Sequence, residues 1–374
     1  MTRPRIHILY EHGSNQRPFG SAYIRLLRPL SHPQLQSAFE VTTGVDYAGQ
    51  PVEAVIVDRL WRPDISPDLA ESLLARIRAR SAKLIYTLDD SFFDLPAEVK
   101  DWEPTDDRLA VVRIFLTAAD GIMVTTPALK NKFAEFNPNI VVLPHALDER
   151  LLPPRQFRTA NGHSNQPKAA KQAGLLSRLG IRPKQRKVIG YMGTFTHDND
   201  LLMIRPALQA VAERHRGQLE LQLVGGFRQP DTMKALKQLP LRVVRHKLKH
   251  IEYPDFMTWF TQNLDWDVAI APLADTPFNR CKSDIKFLDY CALGTAGIFS
   301  KVPAYEATVR HRETGWLVDN HPAAWREALE TLLFDDGLRL HITQNAEQYL
   351  FSERSVGQRS ADWRQSINMI LNHV

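Results

Sequence analysis

Potential chemistry is densest between Lys282 and Gly297, where two lysines and a carboxylate, Lys282, Lys286 and Asp289, fall on a strand-loop-helix-turn pattern. Ala271-Pro-Leu closes an apolar run, a polar loop follows, Ile285–Ala292 carries apolar residues at helical spacing, and Gly294 leads into the apolar run Ala296–Phe299. A loop running into a helix start offers unpaired N–H groups and the positive end of the helix dipole to an anion. Lys282 and Lys286 add full charges, which suits a phosphate. Asp289, on the neighbouring face of the same helix as Lys286, is a carboxylate able to accept two hydrogen bonds from a ribose diol. The alternative for these residues is a surface helix with an i,i+3 Lys–Asp pair.

A second polar cluster, Gly193-Thr-Phe-Thr-His-Asp-Asn-Asp200, follows the apolar run Val188–Met192. Gly193, Thr194 and backbone N–H groups at the start of the next helix can hold phosphate oxygens, and Thr194 and His197 are candidates for the same ligand site. Asp198 or Asp200 is expected to cap that helix. One histidine with close-set carboxylates defines no metal geometry, so no metal site is read here. Gly225-Gly226 either lets a ligand approach the backbone closely or simply turns the chain. In the N-terminal half, Tyr10-Glu-His-Gly13 and Phe19-Gly20 punctuate the first strand-to-helix connection, where Gly13 either admits a phosphate or is a flexible link. Asp89 and Asp90 end an apolar run, placed to orient an acceptor hydroxyl or to form a cap or turn. His145 follows a buried run and is either catalytic or a satisfied structural histidine.

These residues lie at corresponding places in two alternating series. In the first, Arg5–Glu11, Ala54–Leu60, Lys83–Leu88, Gly121–Thr126 and Ile140–Leu143 read as strands, with helices at Ser21–Leu30, Leu69–Arg80 and Arg108–Ala119. In the second, Val188–Met192, Leu219–Val224, Leu241–Val244, Val268–Ala271 and Ala296–Phe299 read as strands, with helices at Leu201–Arg214, Phe256–Gln262, Ile285–Ala292 and Ala323–Leu333. Alternation of this kind predicts two parallel, doubly wound sheets whose strand C-termini meet at one cleft. A polar stretch from 156 to 186 reads as the linker, and Trp363, Ile367 and Ile370 share one face of a C-terminal helix.

A chain of 374 residues, with 44% hydrophobic and 24% charged side chains, is long enough for two cores and shows no sign of extensive disorder. Its 47 Lys+Arg against 42 Asp+Glu favour acidic partners such as a nucleotide diphosphate or an anionic leaflet. Two cysteines, Cys281 and Cys291, make neither a zinc site nor a disulfide framework. Met1–Tyr10 reads as a strand rather than a signal peptide and no apolar run is long enough to span a bilayer, so a cytoplasmic protein with at most peripheral contact to an anionic membrane is expected. No aromatic-basic nucleic-acid module is present.

Lys286-Phe-Leu-Asp-Tyr-Cys-Ala-Leu-Gly-Thr-Ala resembles the K-x-x-E-Y-x-A-x-G-x-P helix of glycosyltransferase family four. Val302-Pro-Ala-Tyr-Glu and Glu313-Thr-Gly-Trp-Leu-Val resemble that family's ending, and Val188-Ile-Gly-Tyr-Met-Gly its first donor-domain strand. Tyr86-Thr-Leu-Asp-Asp-Ser-Phe-Phe-Asp-Leu-Pro and Val142-Leu-Pro-His-Ala-Leu-Asp extend the resemblance over almost the whole chain. It implies the GT-B fold: an α/β protein of two Rossmann-like doubly wound domains facing a cleft. Residues 1–155 form the acceptor side, 187–350 the donor-binding domain, and 351–374 a helix crossing back to the first domain.

The resemblance further implies retaining transfer of a sugar from a nucleotide-diphosphate sugar to a hydroxyl of a saccharide, lipid-linked or protein acceptor, in polysaccharide or glycoconjugate synthesis. No cofactor is implied beyond the sugar nucleotide itself. A GT-B-fold sugar-nucleotide 2-epimerase and a catalytically degenerate binding subunit are the alternatives. Gly13, Thr194, His197, Gly225, Lys282, Lys286 and Asp289 become donor-binding candidates, and Asp89, Asp90 and His145 catalytic ones. Two departures stand out. The family's E-x7-E pair falls on Cys281 and Asp289, and the Arg and Lys that follow the first donor-domain strand are missing.

Overall fold

Runs such as Ala54-Val-Ile-Val-Asp58 and Val268-Ala-Ile-Ala271, buried at every position, can only be strands covered on both faces, as parallel sheets require. In the computed structural model, which describes residues 3–95, 105–153, 186–193, 197–226, 229–246 and 252–372, such runs build two six-stranded sheets. The first contains β1 (Arg5–Leu9), β2 (Glu40–Gly44), β3 (Ala54–Asp58), β4 (Lys83–Leu88), β5 (Gly121–Val124) and β6 (Ile140–Val142) in the order β2-β1-β3-β4-β5-β6. The second contains β7 (Lys187–Gly193), β8 (Leu219–Gly225), β9 (Leu241–Val244), β10 (Val268–Ala271), β11 (Ala296–Ser300) and β12 (Trp316–Val318) in the order β12-β11-β10-β7-β8-β9. Every pairing between these strands is parallel. Strand order therefore reverses between β1 and β3 in one sheet and between β7 and β10 in the other, and crevices at such reversals bind ligands.

Each sheet separates two apolar layers. One face of the first packs around Tyr86, Phe115 and Phe133. The other is covered by helix Val356–Leu371, whose Trp363, Ile367 and Ile370 join Ile6, Ile8 and Ile56. Trp363 Nε1 donates to the Arg25 carbonyl at 2.9 Å, so the C-terminal helix does return to the first sheet. Helix Asp336–Glu353 leaves the second sheet's core, and the chain breaks at Arg354–Ser355 before the terminal helix begins.

Several expected boundaries move. The strand expected over Ala54–Leu60 stops at Asp58, because Arg59 and Trp61 take φ of 51°. The helix expected over Ser21–Leu30 is helical throughout but winds as a π-turn over Tyr23–Leu27. Helix Pro67–Arg78 starts ahead of the expected Leu69, where Ser66 accepts from Leu69 N and Pro67 takes the first helical position. Strands β2 and β12 and helix Pro127–Phe133 add to the expected set. The 156–186 stretch lies, except for Arg186, outside the described residues. No helix among the described residues is long and apolar enough to cross a membrane.

Candidate functional site

The loops leaving β1, β3 and β4 gather a buried charge cluster at the first sheet's reversal point. Arg59, with φ of 51°, turns its guanidinium inward over the Phe92 ring. Its Nε lies 2.8 Å from Glu11 Oε2, and its Nη1 lies 2.8 Å from Asp89 Oδ1 and 3.4 Å from Asp90 Oδ2. Arg25, on the π-turn, pairs with Asp58, donates to Thr87 Oγ1 at 2.8 Å and stands 3.7 Å from Asp89. Burial would raise the Asp89 carboxyl, yet Arg25 and Arg59 together hold it below the usual range. Glu11 is pushed up to about 7, because burial outweighs Arg59 and neighbouring Asp58 and Asp89 add repulsion. Asp89 thus belongs to an ion-pair network, and Asp90 is its outward member.

Asp90 carries the network across the cleft: Lys282 Nζ lies 2.9 Å from its Oδ1. Thr126 Oγ1, which also caps helix Pro127–Phe133, donates to the Cys281 carbonyl at 3.1 Å. His145 Nδ1 stands 3.1 Å from Ser283 Oγ. On the opposite rim Glu252 receives Tyr23 and, at 3.4 Å, Arg17. Burial, reinforced by Arg25 and only partly offset by Asp89, pushes the His145 imidazole down to about 4, so it is neutral near pH 7.

Arg354, absent from the sequence reading, ties the two halves together. Its guanidinium grips Asp284 through two bonds of 2.6 and 3.0 Å and donates to the His145 carbonyl at 2.9 Å. Asp284 immediately precedes helix Ile285–Leu293, the element carrying Lys286 and Asp289. That helix ends at Gly294, whose φ of 71° closes the C-terminus as only glycine readily does.

At the second reversal point, helix Asp198–Arg214 starts with His197 as its N-terminal flanking residue, and neither aspartate caps it, contrary to expectation. Both carboxylates reach out to neighbouring loops instead. Asp198 accepts from Gln229 N at 3.0 Å. Asp200 accepts from Ala274 N at 2.7 Å, from Asn279 Nδ2 at 3.3 Å, and faces His197 Nδ1 at 2.7 Å. Asp200 therefore bridges the loops that follow β7 and β10.

Lys286 is buried, stands 5.5 Å from the centre of the Tyr191 ring, and is pushed down to about 8 by burial, with Lys282 reinforcing and Asp200 opposing. Asp289 is buried with one oxygen that no group among the described residues bonds, and burial outweighs Lys286 to raise it to about 7. No ion pair within 4 Å joins these two side chains among the described residues, so the surface-pair alternative does not describe them. A buried carboxylate and a buried lysine with perturbed titration at a sheet reversal make this the candidate site of the second sheet.

The remaining candidates divide. Gly225 must be glycine for the fold itself: its φ is 110° and a Cβ would stand 1.9 Å from the Gly193 carbonyl. Gly13 has ordinary backbone and borders the Phe19 ring, so nothing there demands a close-approaching phosphate. Thr194 lies outside the described residues. Asp89, Asp90, His145 and Lys282 meet at the first sheet's side of the cleft, and His197, Lys286 and Asp289 belong to the second's.

No curated protein matches by sequence. Among solved structures, Anabaena HepE in complex with UDP and glucose is similar over 98% of this chain and 100% of its own, with a TM-score of 0.62 at 14% identity. Sucrose-phosphate synthase from Thermosynechococcus elongatus is similar over 100% of both chains, with a TM-score of 0.61 at 15% identity. A glycosyltransferase from Rickettsia africae is similar over 100% of both chains, with a TM-score of 0.61 at 12% identity. At these identities the likeness is one of fold, and that fold is GT-B. Residues 186–335, which hold His197, Lys286 and Asp289, match the family described as glycosyl transferases group 1.

Proposed function

We propose that the chain transfers a glycosyl group, with retention, from a nucleoside-diphosphate sugar to an acceptor hydroxyl. The observation that carries this reading is the match of residues 186–335 to glycosyl transferases group 1, over the segment that places Lys286 beside the unpaired Asp289. Lys286 and the positive N-terminal end of helix Asp198–Arg214 face the charge that develops on the departing diphosphate. Asp289, once ionised, accepts hydrogen bonds from the ribose diol. On the far side of the cleft, Asp90 and neutral His145 are the residues this reading assigns to the incoming hydroxyl. Support for a uridine nucleotide comes from HepE, which was solved with UDP and glucose.

The test is incubation with UDP-, GDP- and ADP-sugars, with and without a panel of saccharide and lipid-linked acceptors, the product anomer being read by proton NMR. Acceptor-dependent product with the donor's anomeric configuration is expected. Conversion of the sugar nucleotide without an acceptor would identify an epimerase, and an inverted product would remove retention.

A further inference from the structure

We propose that His197 and Asp200 form a proton-accepting dyad that becomes charged as a diphosphate enters the cleft. The imidazole takes a proton from solvent at Nε2, donates it in a hydrogen bond to a phosphate oxygen, and releases it when the nucleotide leaves. This rests on the donor reading above and says how a site lacking the usual Arg and Lys manages a dianion.

Asp200 is held by Ala274 N at 2.7 Å and Asn279 Nδ2 at 3.3 Å, so its carboxylate is fixed and already solvated by protein donors. Facing His197 Nδ1 at 2.7 Å, it keeps the ring hydrogen there and leaves Nε2 as the basic atom. No described residue bonds Nε2. Among the described residues, the charged groups acting on the imidazole are Asp200 on its own helix and Lys282 and Lys286 before and on helix Ile285–Leu293, with the Tyr191 hydroxyl on β7 close to Asp198 and Asp200.

Without a ligand, burial and the two lysines push His197 down to about 4. Lys282 is engaged by Asp90 at 2.9 Å. Among the described residues, Lys286 then answers the charge of Asp200 and, when it is ionised, of Asp289. A diphosphate placed beside the ring supplies the opposite charge that both cancels the lysine repulsion and favours the imidazolium. Proton uptake then supplies a cation at a helix start where the family's arginine and lysine are missing.

The experiment follows the Cε1–H resonance of His197 in the full chain labelled with 13C-histidine, assigned by its loss in His197→Gln. Titrations run between about pH 4 and pH 8, alone and with saturating inorganic pyrophosphate or UDP. With either ligand the His197 midpoint should rise by about 1–3 pH units. His197→Gln should weaken pyrophosphate binding about tenfold or more near pH 6, with the deficit shrinking as pH rises.

If pyrophosphate or UDP binds and His197 stays neutral, the dyad is overturned while the donor reading stands. If pyrophosphate moves His197 but no nucleotide binds, the dyad stands and the nucleotide reading falls. If neither ligand binds, both fall. Asp200→Asn serves as a second variant: provided its circular dichroism is unchanged, it should lower the ligand-bound midpoint, and an unchanged midpoint would also overturn the dyad.

Discussion

Replacing Arg354 by methionine should destabilise the protein more than any other single substitution in the cleft. Arg354 and Asp284 are each 6% exposed, and the guanidinium makes two bonds to that carboxylate and one of 2.9 Å to the His145 carbonyl. Methionine retains most of the packing volume of the stem, so the loss is electrostatic. It strands a buried carboxylate, which costs about 3–5 kcal/mol, and leaves one carbonyl without its donor, worth about 1 kcal/mol. Lysine restores a charge but not the forked geometry, and should recover only part. The double variant Arg354→Met/Asp284→Asn removes the stranded charge and should recover all but about 1–2 kcal/mol. Urea unfolding read by tryptophan fluorescence and by far-ultraviolet circular dichroism would measure these differences, the two probes testing whether the halves unfold together. A loss below about 1 kcal/mol for Arg354→Met, or a double variant no more stable than the single one, would show that this ion pair does not hold the junction.

Because Asp289 rises to about 7 in the folded protein, its contribution is fully present below about pH 4 and is lost as pH climbs through about 7. Asp289→Asn should flatten that loss and raise the unfolding free energy from urea titration at pH 8 by about 4 kcal/mol at most, and an unchanged pH profile would refute the assignment. Since Lys282 is engaged by Asp90 whereas Lys286 is not ion-paired among the described residues, Lys286→Ala should weaken pyrophosphate binding about tenfold or more and Lys282→Ala distinctly less, as read by calorimetry. Gly190→Ala would set a methyl 1.7 Å from the Trp266 ring, and overpacking of that kind should cost about 1–3 kcal/mol or more; a melting temperature within a degree or so of the parent's would mean that the ring moves freely.

The buried strands were legible because burial on both faces leaves little but apolar residues, as in β3 and β10. Strand β2 was not, because Glu40-Val-Thr-Thr-Gly44 is an edge with no fully buried residue, and its composition reflects solvent rather than a core. The same contrast runs through the site. Lys286 and Asp289 occupy one helix within one motif, so spacing alone could bring them together. Arg25 with Asp58, Arg354 with Asp284 and Trp363 with the Arg25 carbonyl are separated by 33, 70 and 338 residues. No local pattern relates such partners; only the strand order and the returning helix do. The cap expected from Asp198 or Asp200 is made by neither, because capping is the local use of an aspartate at a helix start, and the bonds to Gln229 N and Ala274 N reach loops far along the chain.

Cys281 shows how one departure from a motif follows from the packing around it. Where the family carries its first acid, this chain has a cysteine that is 5% exposed and belongs to the first domain's core cluster, with Leu129 and Phe133. The peptide of Cys281 is fixed by Thr126 at 3.1 Å, and the next side chain, Lys282, reaches Asp90. A carboxylate there would be desolvated against an apolar layer at a cost of several kcal/mol, the same burial that raises the Cys281 thiol despite Lys132 and Lys282 nearby. The loop before helix Ile285–Leu293 is therefore built to dock the second sheet onto the first. In the proposed donor site, the groups left to meet a ligand are Lys286, Asp289 and the His197–Asp200 pair.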